Sequence, residues 1–180
     1  YRYDVLAGSK ERYEVVTTSC ITGKACYSEE KQNPKRVTDI VKASSSLPFV
    51  SPISYVDGIP MLDGGIADSI PLLRARELGY DNNVVILTRN KGYRKPSKPT
   101  TVPFFFYRKY PKLRQAIANR NALYNRQVDM IERLEEHGQI TVIRPEKPIV
   151  VDRIERNTNK LLDLYNQGYE AASKIEFKQL

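Results

Sequence analysis

Apolar and polar positions repeat along this chain with two periods, and each change of period marks an element. β-Branched residues crowd Tyr13 to Cys20 (YEVVTTSC) and predict a strand. Thr22-Gly23 supplies a turn, and Ala25-Cys26-Tyr27 a short returning strand. After the break at Asn33-Pro34, Val37, Ile40 and Val41 fall on one helical face. The segment 34–44 therefore reads as a helix, with Pro34 suited to its first turn. Ser44 to Pro52 is a Ser/Pro-rich loop. Ile53 to Leu62 predicts a hairpin, because Asp57-Gly58 tolerates positive φ at both turn positions. Asp63 closes its second strand, and Gly64-Gly65 makes an irregular bend.

Asp68 or Ser69 is placed to cap a helix with Pro71 near its first turn, running Leu72 to Leu78 and stopping at Gly79. The continuous apolar run Val84 to Leu87 is the pattern of a strand buried on both faces of a parallel sheet. Arg89 to Pro103 is a Pro/Lys-rich loop. From Pro111, Leu113, Ile117, Tyr124, Val128, Ile131 and Leu134 keep close to a helical period as far as His137-Gly138. Ile140 to Ile143 reads as a strand closed by Pro145 and Pro148. A last helix is expected from about Asp152 to Ile175, carrying Ile154, Leu161, Leu164, Tyr165 and Ala172. Strands alternating with helices point to an α/β domain.

The 180 residues suffice for one domain with a real core. No run approaches the roughly 20 apolar residues of a membrane-spanning helix. The first residue is Tyr rather than Met, and the start has no basic region followed by an apolar one. The expectation is a chain cut from something longer. Net charge is +8, and its distribution is uneven. Between Asn82 and Val128 stand eleven basic residues and no acidic one, so the remainder is net acidic.

The chemistry-bearing residues are few. No Gly-x-Ser-x-Gly occurs, so the strand-to-helix elbow that exposes a nucleophilic serine is missing. The single histidine, His137, follows Glu135-Glu136 at a helix end, where it complements the helix dipole. A Ser-His-Asp triad therefore cannot be assembled from these residues. Cys20 and Cys26 flank a turn without further ligands nearby, and read as two small, half-buried thiols of a cytosolic protein. What remains is Asp63-Gly64-Gly65. A carboxylate at a strand's C-terminal end sits where α/β sheets open a ligand crevice, and two glycines after it permit close approach. On local chemistry alone the tripeptide is a weak signal and reads as a turn, because Asp-Gly-Gly is common in turns.

Five features in order carry more weight than any one of them. They are the strand-turn segment VVTTSCITGKACY, then Ala43-Ser44-Ser45-Ser46-Leu47-Pro48, then Tyr55-Val56-Asp57-Gly58. Asp63-Gly64-Gly65 with Ile70-Pro71 follows, and then the strand Val84 to Leu87. This order resembles the second half of bacterial patatin-like phospholipases, over about residues 11–90. Residues 91–180, with YRKP, RNALYN (Arg120 to Asn125) and IRPEKP, resemble an extension found on one bacterial branch. The resemblance implies part of a three-layer α/β/α sheet domain over residues 1–90, followed by a mostly helical extension over 91–180. It implies a serine acyl hydrolase with a Ser–Asp dyad and neither cofactor nor metal. Only the aspartate maps here, onto Asp63, and these residues by themselves are expected to be inactive. Ser44, Ser45, Gly64 and Gly65 are expected to line the acyl substrate's pocket, while Ser44, Ser45 and Ser46 lack the elbow a nucleophile needs.

The basic stretch allows two readings. Phe104, Phe105, Phe106, Tyr107 and Tyr110 interleave with Arg108, Lys109 and Lys112, which suits anionic lipid headgroups. Alternatively the segment is a solvated basic face with Phe104 to Phe106 packed inward. A non-catalytic module binding a membrane or a partner through residues 82–128 is thus the alternative to the enzyme. No nucleic-acid motif supports the third option for such a segment. A cytoplasmic protein, peripheral at the membrane and prone to homo-oligomerise through an exposed sheet edge, completes the expectation.

Overall fold

The computed structural model describes residues 2–151 and 155–175. They fall into two compact units, Tyr1–Pro71 with Lys95–Gln127, and Leu72–Arg94 with Val128–Leu180. This partition differs from a division near residue 90, because 95–127 belongs with the first 71 residues and 72–94 with the later part of the chain.

The first unit opens on a short helix that the hydrophobic pattern did not mark, α1 (Tyr3–Gly8), none of whose residues is buried. Next come β1 (Glu14–Ser19) and β2 (Ala25–Glu29), joined by the Thr22-Gly23 turn with Gly23 at φ +67°. α2 (Pro34–Ser44) follows, capped by Asn33, whose side chain accepts from the N–H of Arg36 at 3.1 Å. Val37 and Ile40 are buried as its spacing predicts, together with Ala43, while Val41 is only half-buried. β3 (Ser54–Val56) and β4 (Ile59–Asp63) form the hairpin, with Asp57 at φ +50° and Gly58 at +76° as the tight turn requires. The sheet order is β2-β1-β4-β3, antiparallel throughout.

Strand alternation sends Met61 and Leu62 to opposite faces of this sheet. Met61 packs with Val56 and with Ile40 and Ala43 of α2. Leu62 packs with Cys20, Ile66, Leu113 and Ile117, all with 2% or less of their surface exposed. The last two belong to α4 (Pro111–Glu136), so α2, the sheet and the start of α4 make the three layers. Each of these aliphatic side chains contributes about 1.5–3 kcal/mol by leaving water. Burial pushes the Cys20 thiol up to about 11, so this cysteine is an inert core residue, and both cysteines are free.

A loop of the first unit carries the aromatic run. Phe49 and Tyr107 both hold positive φ, +68° and +53°, in which a bulky residue is strained by about 1 kcal/mol or more. They hold each other there: the Phe49 N–H donates to the Tyr107 hydroxyl at 2.9 Å, and their rings lie 5.8 Å apart.

In the second unit α3 (Leu72–Glu77) ends before Gly79 at φ +87°. β5 (Asn83–Ile86) pairs in parallel with β6 (Ile140–Ile143). The parallel pairing agrees with the apolar run, but the expected burial on both faces does not hold. Val85 and Leu87 are buried, whereas Val84 and Ile86 are 47% and 73% exposed. In this two-stranded sheet only one side of β5 is buried, and alternation leaves the other side open. α4 ends at His137-Gly138 as predicted: Gly138 has φ +64° and His137 Nδ1 donates to the Arg133 carbonyl at 2.7 Å. α5 (Thr158–Ser173) has no buried residue and is capped by Asn157. Its expected start, with Asp152 and Ile154, lies outside the described residues. Leu164 and Ala172 border a groove of about 490 Å³ with Ile86 and Ile149, while Leu161 and Tyr165 are exposed. Among the described residues no helix is long and apolar enough to cross a membrane.

Gly168 stands inside α5 with open space where a Cβ would go. Gly168→Ala is therefore expected to raise stability by about 0.5–1 kcal/mol, read from chemical denaturation. Glu132 accepts from Arg94 at 2.6 Å and from the Gly92 N–H at 3.0 Å, with Arg144 beside it at 3.4 Å. The Arg94 hydrogen bond, against the cost of burial, holds the Glu132 carboxyl below its usual range. A carboxyl depressed on folding stabilises above its unfolded value of about 4.3, and that stability is lost as pH falls through the folded value. Glu132→Gln is expected to cost about 1–3 kcal/mol at pH 7, and the gap to the unmodified protein should narrow in unfolding curves as pH falls below the unfolded value of about 4.3.

Candidate active site

The site grows from the end of β4. Asp63 is the last residue of that strand, and its partner across the sheet is Thr17 of β1. After it the chain turns sharply into a 3-10 turn, Gly64–Ile66. Asp63 Oδ1 accepts from the Gly65 N–H at 2.7 Å, so the carboxylate caps the turn that follows it. Among the described residues Oδ2 takes no hydrogen bond, and the side chain is half-buried. The backbone of Asp63 is fixed on both sides. Its N–H donates to the Ser46 carbonyl at 3.0 Å, and its carbonyl accepts from the Thr18 hydroxyl at 2.8 Å.

The glycines have different roles. A Cβ at Gly64 would lie 2.3 Å from the carbonyl oxygen of Val16, so only glycine lets the turn lie against β1. A Cβ at Gly65 would lie 3.1 Å from Asp63 Oδ1. Gly64 therefore seats the turn, and Gly65 leaves room for the carboxylate.

Of the three serines, Ser46 is the one that meets Asp63, and it does so through its carbonyl. Its buried hydroxyl donates to the Lys42 carbonyl at 2.7 Å and meets the Ser54 hydroxyl at 2.9 Å. It is held as structure, not presented as a nucleophile. Ser44 is the last residue of α2. Ser45 is exposed and borders a small hollow with Tyr3, Val37 and Val41. Asp63, Gly64 and Gly65 thus stand together, and the two outer serines join them only through Ser46.

A second carboxylate braces the same turn. Asp68, considered from its position as a helix cap, instead receives the Tyr27 hydroxyl at 2.6 Å and Nε2 of Gln127 at 2.5 Å. Its N–H returns to the Gly64 carbonyl at 2.9 Å. Ser69, the other candidate cap, donates its hydroxyl to the Gly65 carbonyl at 2.7 Å. Gln127 Nε2 also reaches the Ile70 carbonyl at 3.3 Å, while its buried Oε1 takes no hydrogen bond among the described residues. Nothing singled out Tyr27 or Gln127 in the sequence. The one signal was a polar residue at 127 beside Val128, in the apolar stripe of α4. His137, at the far end of α4, is exposed and occupied by its own helix.

Among the described residues no group of three or more His, Cys, Asp or Glu side chains is arranged to hold a metal ion. The site offers one anchored carboxylate with an open oxygen, on a rigid strand end, beside glycine backbone. That is the equipment of a general base. Residues 16–76 match the family model described as patatin-like phospholipase. Residues 110–176 match the model of a domain of unknown function, DUF6363. No curated protein matches the chain.

Proposed function

We propose, from the premise that residues 16–76 carry patatin-like phospholipase sequence, that Asp63 is the general base of a serine acyl hydrolase acting on lipid carboxylic esters. The observation that carries this reading is the anchoring of Asp63 by the Gly65 N–H through one oxygen, with the other left open. The nucleophilic serine comes from outside these residues, since none of them forms a Gly-x-Ser-x-Gly elbow.

In the reaction Asp63 Oδ2 takes the serine hydroxyl proton as that oxygen attacks the ester carbonyl. The protonated Asp63 then gives the proton to the departing alcohol, leaving an acyl-serine. Asp63 next takes a proton from water, whose oxygen attacks the acyl carbon, and the serine leaves with the proton returned to it. No histidine is required, and the only one present is committed elsewhere. Ser46 and Thr18 act as positioning residues by fixing the backbone of Asp63. The chain by itself is inactive.

The test uses a fluorophosphonate, which labels an activated serine covalently, with hydrolysis of a chromogenic carboxylic ester measured alongside. Both signals are expected when the chain is joined to the serine-bearing segment, and neither with the chain alone. Labelling of a serine within these 180 residues would refute an external nucleophile. Ester stability in the joined protein would sink the hydrolase reading itself.

A further inference from the structure

We propose that the loop 103–110 is a membrane anchor, which seats Phe104 and Phe105 in the interface of an anionic bilayer and sets Arg108, Lys109 and Lys112 against its headgroups. The aromatic run is divided by its surroundings. Phe106 packs edge-on against Phe49 with ring centres 5.1 Å apart, and Tyr107 bonds the Phe49 backbone. Phe105 lies against Phe106 with ring centres 4.7 Å apart, yet Phe104 and Phe105 remain 74% and 71% exposed.

The loop that presents them is rigid. The Arg114 guanidinium, one turn into α4, donates to the carbonyls of Val102 at 3.1 Å, Pro103 at 2.9 Å and Phe106 at 2.5 Å. Such bracing holds two adjacent phenyl rings with most of their surface in water, more apolar surface than the fold itself buries there. A rigid aromatic tip gains by insertion into a headgroup–acyl boundary without first losing conformational freedom.

The charge around the tip identifies the surface. The Arg108 guanidinium lies 4.8 Å over the Phe104 ring, and Lys109 and Lys112 are exposed. No acidic residue occurs between 82 and 128 to offset them locally. Cations beside an apolar tip suit anionic lipid, where each adds attraction that salt screens. A nucleic-acid surface would use spaced rings as stacking platforms, and two neighbouring rings at a loop tip are a poorer fit to it. The loop also packs on the segment that holds Asp63: Phe49 lies three residues beyond Ser46, whose carbonyl binds the Asp63 N–H.

The experiment is sedimentation of the chain with vesicles of phosphatidylcholine containing phosphatidylglycerol, against phosphatidylcholine alone, at low and high salt. Binding is expected to the anionic vesicles, and to weaken about tenfold or more on raising salt from about 0.02 to 0.5 M. Phe104→Ser with Phe105→Ser should weaken it at least about tenfold with the thermal midpoint unchanged, and Arg108→Gln with Lys109→Gln should remove most of the salt dependence. Asp63→Asn should leave binding intact, so this proposal stands or falls apart from the hydrolase reading. Absence of binding at low salt, equal binding to uncharged vesicles, or unaltered binding by the double phenylalanine variant would each overturn it. A lowered thermal midpoint in that variant with binding retained would show the rings to be packing residues instead.

Discussion

Asp63→Asn is expected to lower kcat for ester hydrolysis by between about 10²- and 10⁴-fold, with KM and the thermal midpoint nearly unchanged. The substitution isolates the chemistry. The Gly65 N–H that donates to Asp63 Oδ1 at 2.7 Å can donate equally to an asparagine carbonyl, so the cap on the turn survives. The backbone bonds to Ser46 and Thr18 do not involve the side chain. What disappears is an oxygen able to take a proton. Asp63→Ala is less informative, because it also removes the cap and costs about 0.5–2 kcal/mol of stability. Steady-state kinetics with calorimetry on the serine-bearing protein checks the expectation. An unchanged kcat would remove Asp63 from the mechanism.

Gly64→Ala is expected to destabilise the first unit by about 3 kcal/mol or more, lowering the thermal midpoint by at least roughly 6 °C. The added Cβ would fall 2.3 Å from the Val16 oxygen and 2.6 Å from its carbonyl carbon. These are backbone atoms of β1, a strand flanked on both sides, so neither can yield cheaply. Relief requires lifting the turn away from the sheet. That strains the Thr18–Asp63 bond and the Asp68 bond to the Gly64 carbonyl, and it displaces Asp63. Gly8→Ala, with open space around it, should change stability by less than about 0.5 kcal/mol. Thermal unfolding of the pair measures the contrast. A Gly64→Ala protein that melts with the unmodified one would mean the turn does not lie against β1.

Much of the scaffold was legible because its signals are local. The Asp57-Gly58 turn demands positive φ at consecutive positions, and few residue pairs supply it. α2 carried its own cap and proline. The run at 84–87 does not reveal its burial, because four apolar residues look the same whether one or both sides are buried. Neighbouring strands decide that, and β6 is more than fifty residues away. α1 is too short to show a period, and it buries nothing. At the site, Asp63 and its glycines are adjacent in sequence and gain weight from the ordered segments around them, whereas Tyr27, Asp68 and Gln127 are separated by 41 and 59 positions. The division of the aromatic run was equally hidden, since it depends on Phe49, 58 residues before Tyr107, and on the reach of Arg114.

The Gln127–Asp68 hydrogen bond means that the borders of sequence similarity and the physical borders do not coincide in this chain. One family-model match ends at residue 76 and another begins at 110, yet an amide within the second holds a carboxylate within the first. Leu113 and Ile117 from the second likewise complete the layer over Cys20 and Leu62 of the first. The two stretches are therefore constrained to change together: a substitution in either is judged by partners the other supplies.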